Sequence, residues 1–480
     1  MRINSSAYLL LSLVLSSASM AQSAEQCLQL SNLNLNHAKV ISAESGADSC
    51  KVTTRVWPAE LSQSPDSFID VTTWLPAKHH WNGRFLALGN GGYSPRLPQE
   101  AMQARLAEGF VVAASDTGHK TESLDFVLAA NERIDYWGRT SVHQVSDYSK
   151  QLIRAYYQRP QDYAYFAGCS TGGHQALSAV QYYPDDFDGV LAGAPGNNRV
   201  ALNGMFLWLF QQTHNQAGEL LFDRDDLVTL QQFNLERCDA ADGQQDGLLS
   251  QPLACKPDYQ ALRCNNNSSQ SCLSDDQIKR VERIYAGPSD PKSGQNLYPG
   301  FPPGSELVDG YGWMAYWADR QNPTYPARAD FWQYWVFDDP NWDPWSFDWH
   351  QDFKLAQQRL SARIDATRTD ISPFFKGEGK LILYHGLADS IVSAADTLAY
   401  YRQALSDSAK AGLEPAKHMQ LYLIPGMAHC GGGSAINSVD FLPSLINWVE
   451  QQQRPAKVSA NRSVKGVLEY SQELQAYQPD

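Results

Sequence analysis

The sequence predicts an α/β fold, in which a mostly parallel β-sheet is flanked by helices and interrupted by one large insertion. Short apolar runs alternate with helical stretches between residues 108 and 193, the alternation lapses until about residue 375, and it then resumes from residue 380. Because 43% of the 480 residues are hydrophobic, only 19% are charged and no stretch is of low complexity, the chain has a globular composition.

The elements follow one another in a regular order. Runs rich in Val, Thr, Trp and Phe alternate with turn residues near the start, and we predict strands at 51–56, 68–74 and 84–89. Strands and helices then alternate, with strands at 109–114, 163–167 and 189–193, and helices at 142–157 and 175–182. Two later strands, at 380–384 and 419–424, each precede a loop and a helical stretch.

The N-terminus has the pattern of a secretory signal peptide. Arg2 precedes an apolar run at residues 7–15, and Ser19 and Ala21 are small residues at the two positions that a signal peptidase reads. The run is shorter than the roughly 20 residues of a membrane span. We therefore expect a signal peptide at 1–21, a secreted or periplasmic soluble protein, an α/β domain at 22–196 and 371–480, and a lid domain at 197–370.

The charge balance limits the partners. The 38 Lys and Arg against 52 Asp and Glu give a net charge of −14, and there is no basic tract. This argues against binding of nucleic acid or of an anionic membrane surface. We expect a small organic molecule or a cation as the partner, and the oligomeric state stays open.

Eight cysteines allow 105 pairings, and export favours their oxidation. The number of pairings falls if each cysteine pairs with a near neighbour in the sequence. This assumption gives three short-range disulfides and leaves two cysteines as a long-range pair. The expected disulfides are Cys27–Cys50, Cys238–Cys255, Cys264–Cys272 and Cys169–Cys430.

Residues 168–172 carry the motif G-x-S-x-G between an apolar strand and a helical stretch. In that context the motif forms a nucleophile elbow, a sharp turn that lifts the serine hydroxyl to the end of the sheet. The sequence therefore predicts an α/β-hydrolase fold with Ser170 as the nucleophile. The alternative is a glycine-rich turn without chemistry.

A serine nucleophile needs a base and an orienting carboxylate, which follow it in the order Ser, Asp, His in this fold. Asp389 and His429 each lie in a loop just after a predicted strand, so we assign them as the acid and the base. His174 and His385 are rival bases, but His174 lies on the elbow helix and His385 precedes the acid.

Two further features complete the predicted site. Cys169 precedes the nucleophile and Cys430 follows the base, so a bridge between them would hold the two together; two unrelated thiols are the alternative. An oxyanion hole requires two backbone N–H donors. We expect one from Thr171 and the other from Gly91, with Gly92 as the next choice.

An acidic loop between two cysteines is the one candidate metal site. Asp239, Asp242 and Asp246 place three carboxylates within eight residues, and hard oxygen ligands beside glycine turns suit Ca²⁺. The backbone carbonyls of Gln244 and Leu248 could complete the ligand set. The spacing is not that of an EF-hand, so a solvated acidic turn is an equal alternative.

Three segments resemble the tannase and feruloyl esterase family, and the similarity extends over nearly the whole mature chain. They read GCSTGG at 168–173, YPDDFDG at 183–189 and GMAHC at 426–430. The resemblance implies an α/β-hydrolase with a lid domain, the triad Ser170, Asp389 and His429 with a disulfide beside it, and structural calcium in the acidic loop. His174 departs from the arginine expected in many members, which affects specificity and not the reaction.

The resemblance also limits the substrate class, because family members cleave galloyl esters, hydroxycinnamoyl esters or the terephthalate monoester that is the substrate of MHETase. We expect a serine carboxylesterase that hydrolyses hydroxycinnamoyl or galloyl esters through an acyl-enzyme. The terephthalate monoester ranks lower because no residue is assigned to its carboxylate, although Arg320 or Arg328 in the lid could bind it.

A catalytically silent, calcium-dependent binding protein is the alternative from another class. It would use the tryptophans of the insertion as a surface for phenolics or glycans. These tryptophans could also stack on a planar acyl ring or simply pack the insertion. Seven of them lie between residues 313 and 349, namely Trp313, Trp317, Trp332, Trp335, Trp342, Trp345 and Trp349.

Overall fold

The computed structural model describes residues 24–58, 64–265, 272–310 and 312–479. Nine strands form its main sheet: β1 Ala38–Ser45, β2 Ser49–Val56, β3 Ile69–Pro76, β4 Arg84–Leu88, β5 Val111–Ser115, β6 Tyr163–Cys169, β7 Gly189–Gly193, β8 Lys380–Gly386 and β9 Met419–Ile424. They lie in the order β1-β2-β3-β5-β4-β6-β7-β8-β9. The pairs from β5 to β9 are parallel, whereas β1, β2 and β3 pair antiparallel and β3 meets β5 antiparallel.

Helices cover both faces of this sheet. Within the described residues, eight helices have nine residues or more: α1 Gln99–Ala107, α2 Ser141–Tyr157, α3 Thr171–Tyr182, α4 Arg199–Thr213, α5 Arg224–Cys238, α6 Asp275–Ala286, α7 Ala394–Lys410 and α8 Leu442–Gln451. Helices α2, α3 and α7 pack on one face, where Ile153, Val180 and Tyr401 join a common core. Helices α1 and α8 pack on the other face through Met102 and Trp448.

The sequence explains these elements locally. In α2 the buried residues Val142, Val145, Ser149, Leu152 and Tyr156 recur every three or four positions, which places them on one side of a helix. All five residues of β5 are buried, as expected for a strand that is covered on both faces. The predicted α/β class and the α/β-hydrolase arrangement are therefore observed.

The segment between β7 and β8 forms the insertion, and its two ends meet. The Ala366 N–H donates to the Asn197 carbonyl over 2.9 Å, and the Asn197 side-chain amide donates to the Ala366 carbonyl over 3.1 Å. These contacts lie close to the predicted start of the lid at residue 197 and its predicted end at residue 370.

The insertion has an aromatic core of its own. Five of its eight tryptophans are only 1–5% exposed, whereas Trp208, Trp345 and Trp349 are half-buried. The buried five are Trp313, Trp317, Trp332, Trp335 and Trp342. Most of these rings therefore pack the insertion and do not form a tryptophan surface.

Some elements were not among those predicted. They are β1, α1, the insertion helices α4, α5 and α6, and a second sheet near the C-terminus. This sheet contains β10 Ser438–Val439, β11 Lys457–Val464 and β12 Val467–Gln475 in that order. Nearly every residue of β12 is exposed, so this strand lacks the alternating apolar pattern on which strand prediction depends.

The cysteines pair as expected from the sequence, in the disulfides Cys27–Cys50, Cys169–Cys430, Cys238–Cys255 and Cys264–Cys272. The predicted signal peptide at 1–21 lies outside the described residues. Among the residues that the structure describes, no helix has the length and apolar character needed to cross a bilayer.

Candidate active site

Ser170 lies in the sharp turn between β6 and α3. Its φ of +63° and ψ of −118° put a non-glycine residue in a sparsely populated region of backbone space. The turn is fixed because the Ser170 N–H donates to the Gly193 carbonyl of β7 over 2.9 Å. The flanking glycines are required, since a Cβ on Gly168 would lie 2.6 Å from the carbonyl group of Gly172. The G-x-S-x-G segment is therefore a nucleophile elbow in its geometry.

Asp389 and His429 meet beside the elbow because β6, β8 and β9 run parallel and end at the same edge of the sheet. Asp389 lies in the loop after β8, and His429 lies in the loop after β9. The His429 Nδ1 is 2.7 Å from the Asp389 Oδ2. The side chain of Asp389 is fully buried, whereas that of His429 is 16% exposed, so the imidazole is the member of this pair that faces solvent.

The Asp389 carboxylate is held by four hydrogen bonds. Its Oδ1 accepts from the backbone N–H groups of Ile391 and Val392, and its Oδ2 lies 2.7 Å from His429 and 3.1 Å from His385 Nε2. Burial alone would raise the pKa of Asp389, but the charge of His429 and the hydrogen bonds from His385 and His429 hold this pKa well below its ordinary value. The carboxylate therefore stays ionised and can orient the imidazole.

A disulfide joins the turn that holds Ser170 to the loop that holds His429. Cys169 and Cys430 are adjacent in sequence to Ser170 and His429, and their Cα atoms are 5.9 Å apart. Cys430 has a φ of +66°, so the loop of His429 makes a tight turn at the bridge. The bridge limits how far the loop of His429 can move from the elbow.

The loop after β4 lies against the start of α3. The Asn90 N–H donates to the Gln175 side-chain oxygen over 2.9 Å, and the Asn90 side-chain amide donates to the Ser115 carbonyl over 2.9 Å. A Cβ on Gly89 would lie 2.4 Å from the Gly172 Cα, so only glycine permits this approach. A Cβ on Gly91 would meet no atom within 4 Å, which leaves the space in front of this residue open.

The two rival histidines are both fully buried. The His174 Nε2 donates to the Ile364 carbonyl over 2.7 Å, and the ring stacks on Trp137. Burial, together with the charge of Arg199, lowers the pKa of His174 to about 3, so this ring is neutral. His385 is fully buried, and its Nδ1 lies 2.8 Å from the Thr397 hydroxyl. Neither ring is arranged like His429, which combines an Asp partner with an exposed edge.

Several contacts near the elbow were not predicted from the sequence. Tyr93 stacks on Trp137 with ring centroids 4.6 Å apart, and the guanidinium groups of Arg199 and Arg328 lie 5.5 and 5.3 Å from the Tyr93 ring. Arg199 also donates to the Thr171 hydroxyl over 2.9 Å. These contacts join segments that are distant in sequence, so no local motif indicates them.

The acidic loop is closed by backbone hydrogen bonds. The Asp239 carboxylate accepts from the N–H groups of Asp246, Gly247 and Leu248, and the Asp242 carboxylate accepts from the Gln244 N–H. In the described part of the chain, no three His, Cys, Asp or Glu side chains converge as a metal site requires. The predicted ligands thus share one loop, and their carboxylates do not meet at one point.

The sheet order and the elbow place this chain among the α/β hydrolases. The family model described as "Tannase and feruloyl esterase" matches residues 50–477. The chain belongs to this family, and it is a carboxylic ester hydrolase that acts on esters of aromatic acids.

Individual relatives agree with this assignment. The chain is 30% identical over 424 residues to "Feruloyl esterase C" of Talaromyces stipitatus, with 85% of this chain and 77% of the relative covered. Feruloyl esterase B from Aspergillus oryzae superposes with a TM-score of 0.85 at 26% identity, covering 95% of this chain and 96% of the other. The fold is also that of the tannin acyl hydrolase from Aspergillus niger, with a TM-score of 0.75 at 18% identity over 96% of this chain and 91% of the other.

Proposed function

We propose that this protein is a secreted serine esterase that hydrolyses hydroxycinnamoyl or galloyl esters through an acyl-enzyme. One observation carries the proposal: the Asp389–His429 pair, at 2.7 Å, is tied by the Cys169–Cys430 bridge to the turn that bears Ser170. A binding protein without chemistry would not need a strained elbow beside an ionised Asp and an exposed imidazole.

In the first half of the reaction, Ser170 is acylated by the ester. The His429 Nε2 removes the proton of the Ser170 hydroxyl as Oγ forms a bond to the ester carbonyl carbon. The carbonyl electrons move to the oxygen, and the N–H groups of Gly91 and Thr171 stabilise that negative charge. The intermediate then collapses, the bond to the alcohol breaks, and the alcohol leaves with the proton from His429. Asp389 keeps its negative charge throughout and orients the imidazole.

Deacylation repeats the sequence with water. His429 removes a proton from water, the hydroxide oxygen attacks the acyl carbon, and the intermediate expels the Ser170 oxygen, which recovers its proton from His429. The product is a free aromatic acid. Transfer of the acyl group to an alcohol would follow the same route with the alcohol in place of water.

The substrate class is supported by the relatives and by the surroundings of the elbow. Feruloyl esterases B and C and a tannin acyl hydrolase are the named similar proteins. The rings of Tyr93, Trp137 and Trp335 contact one another beside Gly91, and all three are only 1–4% exposed. An aromatic acyl group that reached the edge of this ring cluster when bound would gain about 0.5 to 1.5 kcal/mol from ring contacts, beyond area burial.

The terephthalate monoester is a second candidate substrate because of Arg328. A Cβ on Gly92 would lie 3.9 Å from the Arg328 Nη2, so a cation borders the predicted oxyanion loop. Arg320, the other arginine considered from the sequence, is exposed. A carboxylate on the far side of the acyl ring could pair with Arg328.

A panel of four esters tests the substrate proposal. We expect kcat/KM for methyl ferulate or methyl gallate to exceed the values for mono(2-hydroxyethyl) terephthalate and p-nitrophenyl butyrate. The Ser170→Ala enzyme serves as the control for uncatalysed hydrolysis. A preference for the butyrate over every aromatic ester would contradict the aromatic-acyl proposal, and a preference for the terephthalate ester would favour the Arg328 alternative.

We also propose that the acidic loop binds a structural Ca²⁺. The oxygen donors of Asp239, Asp242 and Asp246, with the carbonyls of Gln244 and Leu248, have the chemistry that Ca²⁺ prefers. The Asp239 carboxylate already accepts backbone N–H groups, so binding would require these side chains to rearrange around the ion. No step of the reaction involves this loop.

Export from the cytoplasm is the remaining proposal. The four disulfides are typical of proteins that fold in an oxidising compartment. The segment at 1–21 would supply the signal peptide, with cleavage after Ala21. N-terminal sequencing of the protein purified from the culture medium or periplasm tests both the location and the cleavage site.

A further inference from the structure

Arg199 is a buried cation at the first position of α4, where the insertion begins. The residue is only 4% exposed. Its Nη2 donates to the Thr171 hydroxyl over 2.9 Å, and its Nε has no hydrogen-bond partner among the described residues. No carboxylate of the described residues forms an ion pair with it, although the charge of Asp365 acts on it. A buried charge without an ion-paired partner is costly, so its retention at this place calls for a role.

The same helix contacts the second half of the predicted oxyanion hole. Asn203 lies one turn after Arg199, and its side-chain amide donates to the Tyr93 hydroxyl over 2.9 Å and to the Arg199 carbonyl over 2.9 Å. Tyr93 directly follows Gly91 and Gly92 in the loop after β4. The Arg199 guanidinium also lies within 5.5 Å of the Tyr93 ring centroid.

Helix α4 therefore contacts both segments that would supply the oxyanion donors. Thr171 is the residue after the nucleophile, and the Tyr93 loop carries Gly91. The two N–H groups stabilise a developing charge only if their separation and direction are fixed before the reaction. A rigid helix that is hydrogen-bonded to both segments fixes them.

We propose that Arg199 is a positioning residue. Together with Asn203, it fixes Thr171 and the Gly91–Tyr93 loop relative to each other, so that their backbone N–H groups form the oxyanion hole. Its positive charge also raises the electrostatic potential at that hole. This inference rests on the proposed serine mechanism. Arg199 acts through Thr171 and does not take part in a covalent step. Its charge has the sign that stabilises the tetrahedral oxyanion, and its burial limits screening by solvent.

The first test compares Arg199→Met with Arg199→Lys. We expect Arg199→Met to lower kcat about 30- to 300-fold while KM changes by less than about threefold, because the loss falls on the transition state. Arg199→Lys keeps the charge and should recover part of the lost kcat. The matched control is Arg159→Met, which removes an exposed arginine that lies 4.2 Å from the Trp81 ring, and it should leave both constants unchanged.

Binding of phenylboronic acid supplies a second measurement that does not depend on the natural substrate. The boronate forms a tetrahedral anion on a serine nucleophile, so its inhibition constant should rise in parallel with the loss of kcat/KM in Arg199→Met. Activity is followed with p-nitrophenyl acetate as well as methyl ferulate. If the wild-type enzyme hydrolyses p-nitrophenyl acetate but not methyl ferulate, the proposed substrate is wrong and the test of Arg199 still stands.

Thr171→Val keeps the test decisive if Arg199→Met does not fold. This variant removes the hydroxyl that accepts from Arg199 but keeps the backbone N–H, and we expect kcat to fall about tenfold. Where both variants fold, their effects should be less than multiplicative in the double variant, because they break the same contact. The inference is overturned if a folded variant, checked by circular dichroism and thermal unfolding, retains kcat and boronate affinity within threefold of the wild type.

Discussion

The α/β core and the insertion between β7 and β8 are held together by different interactions. In the core, apolar strands such as β5 are buried along their whole length, and the strands from β5 to β9 in the sheet pair in parallel. In the insertion, short 3₁₀ and π-helical turns such as Phe331–Phe337 connect aromatic rings. Aspartates there accept hydrogen bonds from backbone N–H groups two residues further on, which closes local turns. Examples are Asp290, Asp319, Asp339, Asp343 and Asp348.

This difference determines which chemistry each region can hold. The parallel strands bring the ends of β6, β8 and β9 to one edge, so the core supplies Ser170, Asp389 and His429 in fixed positions. The insertion combines the helices α4, α5 and α6 with many turns, and these turns can vary without disturbing the sheet. We therefore expect substitutions in the core to change the rate of the reaction. Changes in the insertion should affect stability and substrate preference, except at Arg199 and Asn203, which contact the segments of the predicted oxyanion hole.

The largest expected effect is the loss of the nucleophile. Ser170→Ala should lower kcat by about 10⁴-fold or more without unfolding the protein, because the triad members act together. Ser346→Ala, at an exposed serine of the insertion, is the matched control and should keep full activity. Kinetics and circular dichroism measure the result. Retention of more than about a tenth of the wild-type activity in Ser170→Ala would remove the elbow from the mechanism.

The core was also the region that the sequence predicted best. Ser170, Asp389 and His429 each follow an apolar strand, so a local pattern places them at the sheet edge. Arg199 and His385 could not be predicted in the same way, because their partners become neighbours only when the insertion and the loops pack. In the insertion, the aspartate turns carry no periodic apolar signal, and the predicted ligands of the acidic loop were identified by composition alone.

The second prediction compares a disulfide of each region. Changing Cys169 and Cys430 together to Ala should lower kcat by about 100-fold, because the His429 loop is then free to move from Ser170. In the chain-entropy model a bridge across 261 residues contributes about 5 to 6 kcal/mol to stability, against about 2 to 3 kcal/mol for one across 8 residues.

The short bridge, Cys264–Cys272, lies in the insertion and gives the control. Its double Ala variant should be mildly destabilised and fully active below its melting temperature. Activity is measured at a temperature at which all variants are folded, together with peptide mass spectrometry to locate free thiols. Equal activity losses in the two double variants would show that the long bridge has no special link to the chemistry.

The third prediction concerns Asp396, at the joint between the two regions. This residue lies in the first turn of α7. Burial raises the pKa of Asp396 to about 7, and the negative charge of Asp365 at the end of the insertion also raises it. A hydrogen bond with Asn198 at the start of the insertion acts in the opposite direction and lowers this pKa. The folded state therefore holds a proton that the unfolded chain, with a pKa of about 3.9, releases.

The sign of the pH dependence follows from linkage. Between about pH 4 and pH 7 the folded state binds more protons at this site than the unfolded state, so the free energy of unfolding falls as the pH rises. Asp396→Asn should remove this slope and stabilise the protein at pH 8, by at most about 4 kcal/mol for a shift of this size.

Asp407→Asn, on the same helix, is the control, because hydrogen bonds from Gln403, Thr369 and Lys410 lower the pKa of Asp407 to about 2. Parallel pH profiles of urea unfolding for Asp396→Asn and the wild type would contradict the assignment.

The smallest expected effect belongs to the insertion alone. If the Asp239–Leu248 loop holds Ca²⁺ only in the folded state, the ion adds about 2.7 kcal/mol to stability at a hundredfold excess over its Kd. EDTA should then lower the melting temperature while kcat, measured well below that temperature, stays unchanged, because the loop belongs to the insertion and not to the sheet edge that holds the triad. Asp242→Asn should weaken the response to EDTA, whereas Asp338→Asn, at an exposed position elsewhere in the insertion, should leave it intact.

A melting curve that EDTA does not move, with no calcium found by elemental analysis, would contradict the calcium proposal. The loop would then be a solvated turn, closed by hydrogen bonds from its backbone N–H groups to the Asp239 carboxylate. A loss of kcat in step with the metal would instead show that the two regions are coupled more tightly than their separate cores suggest.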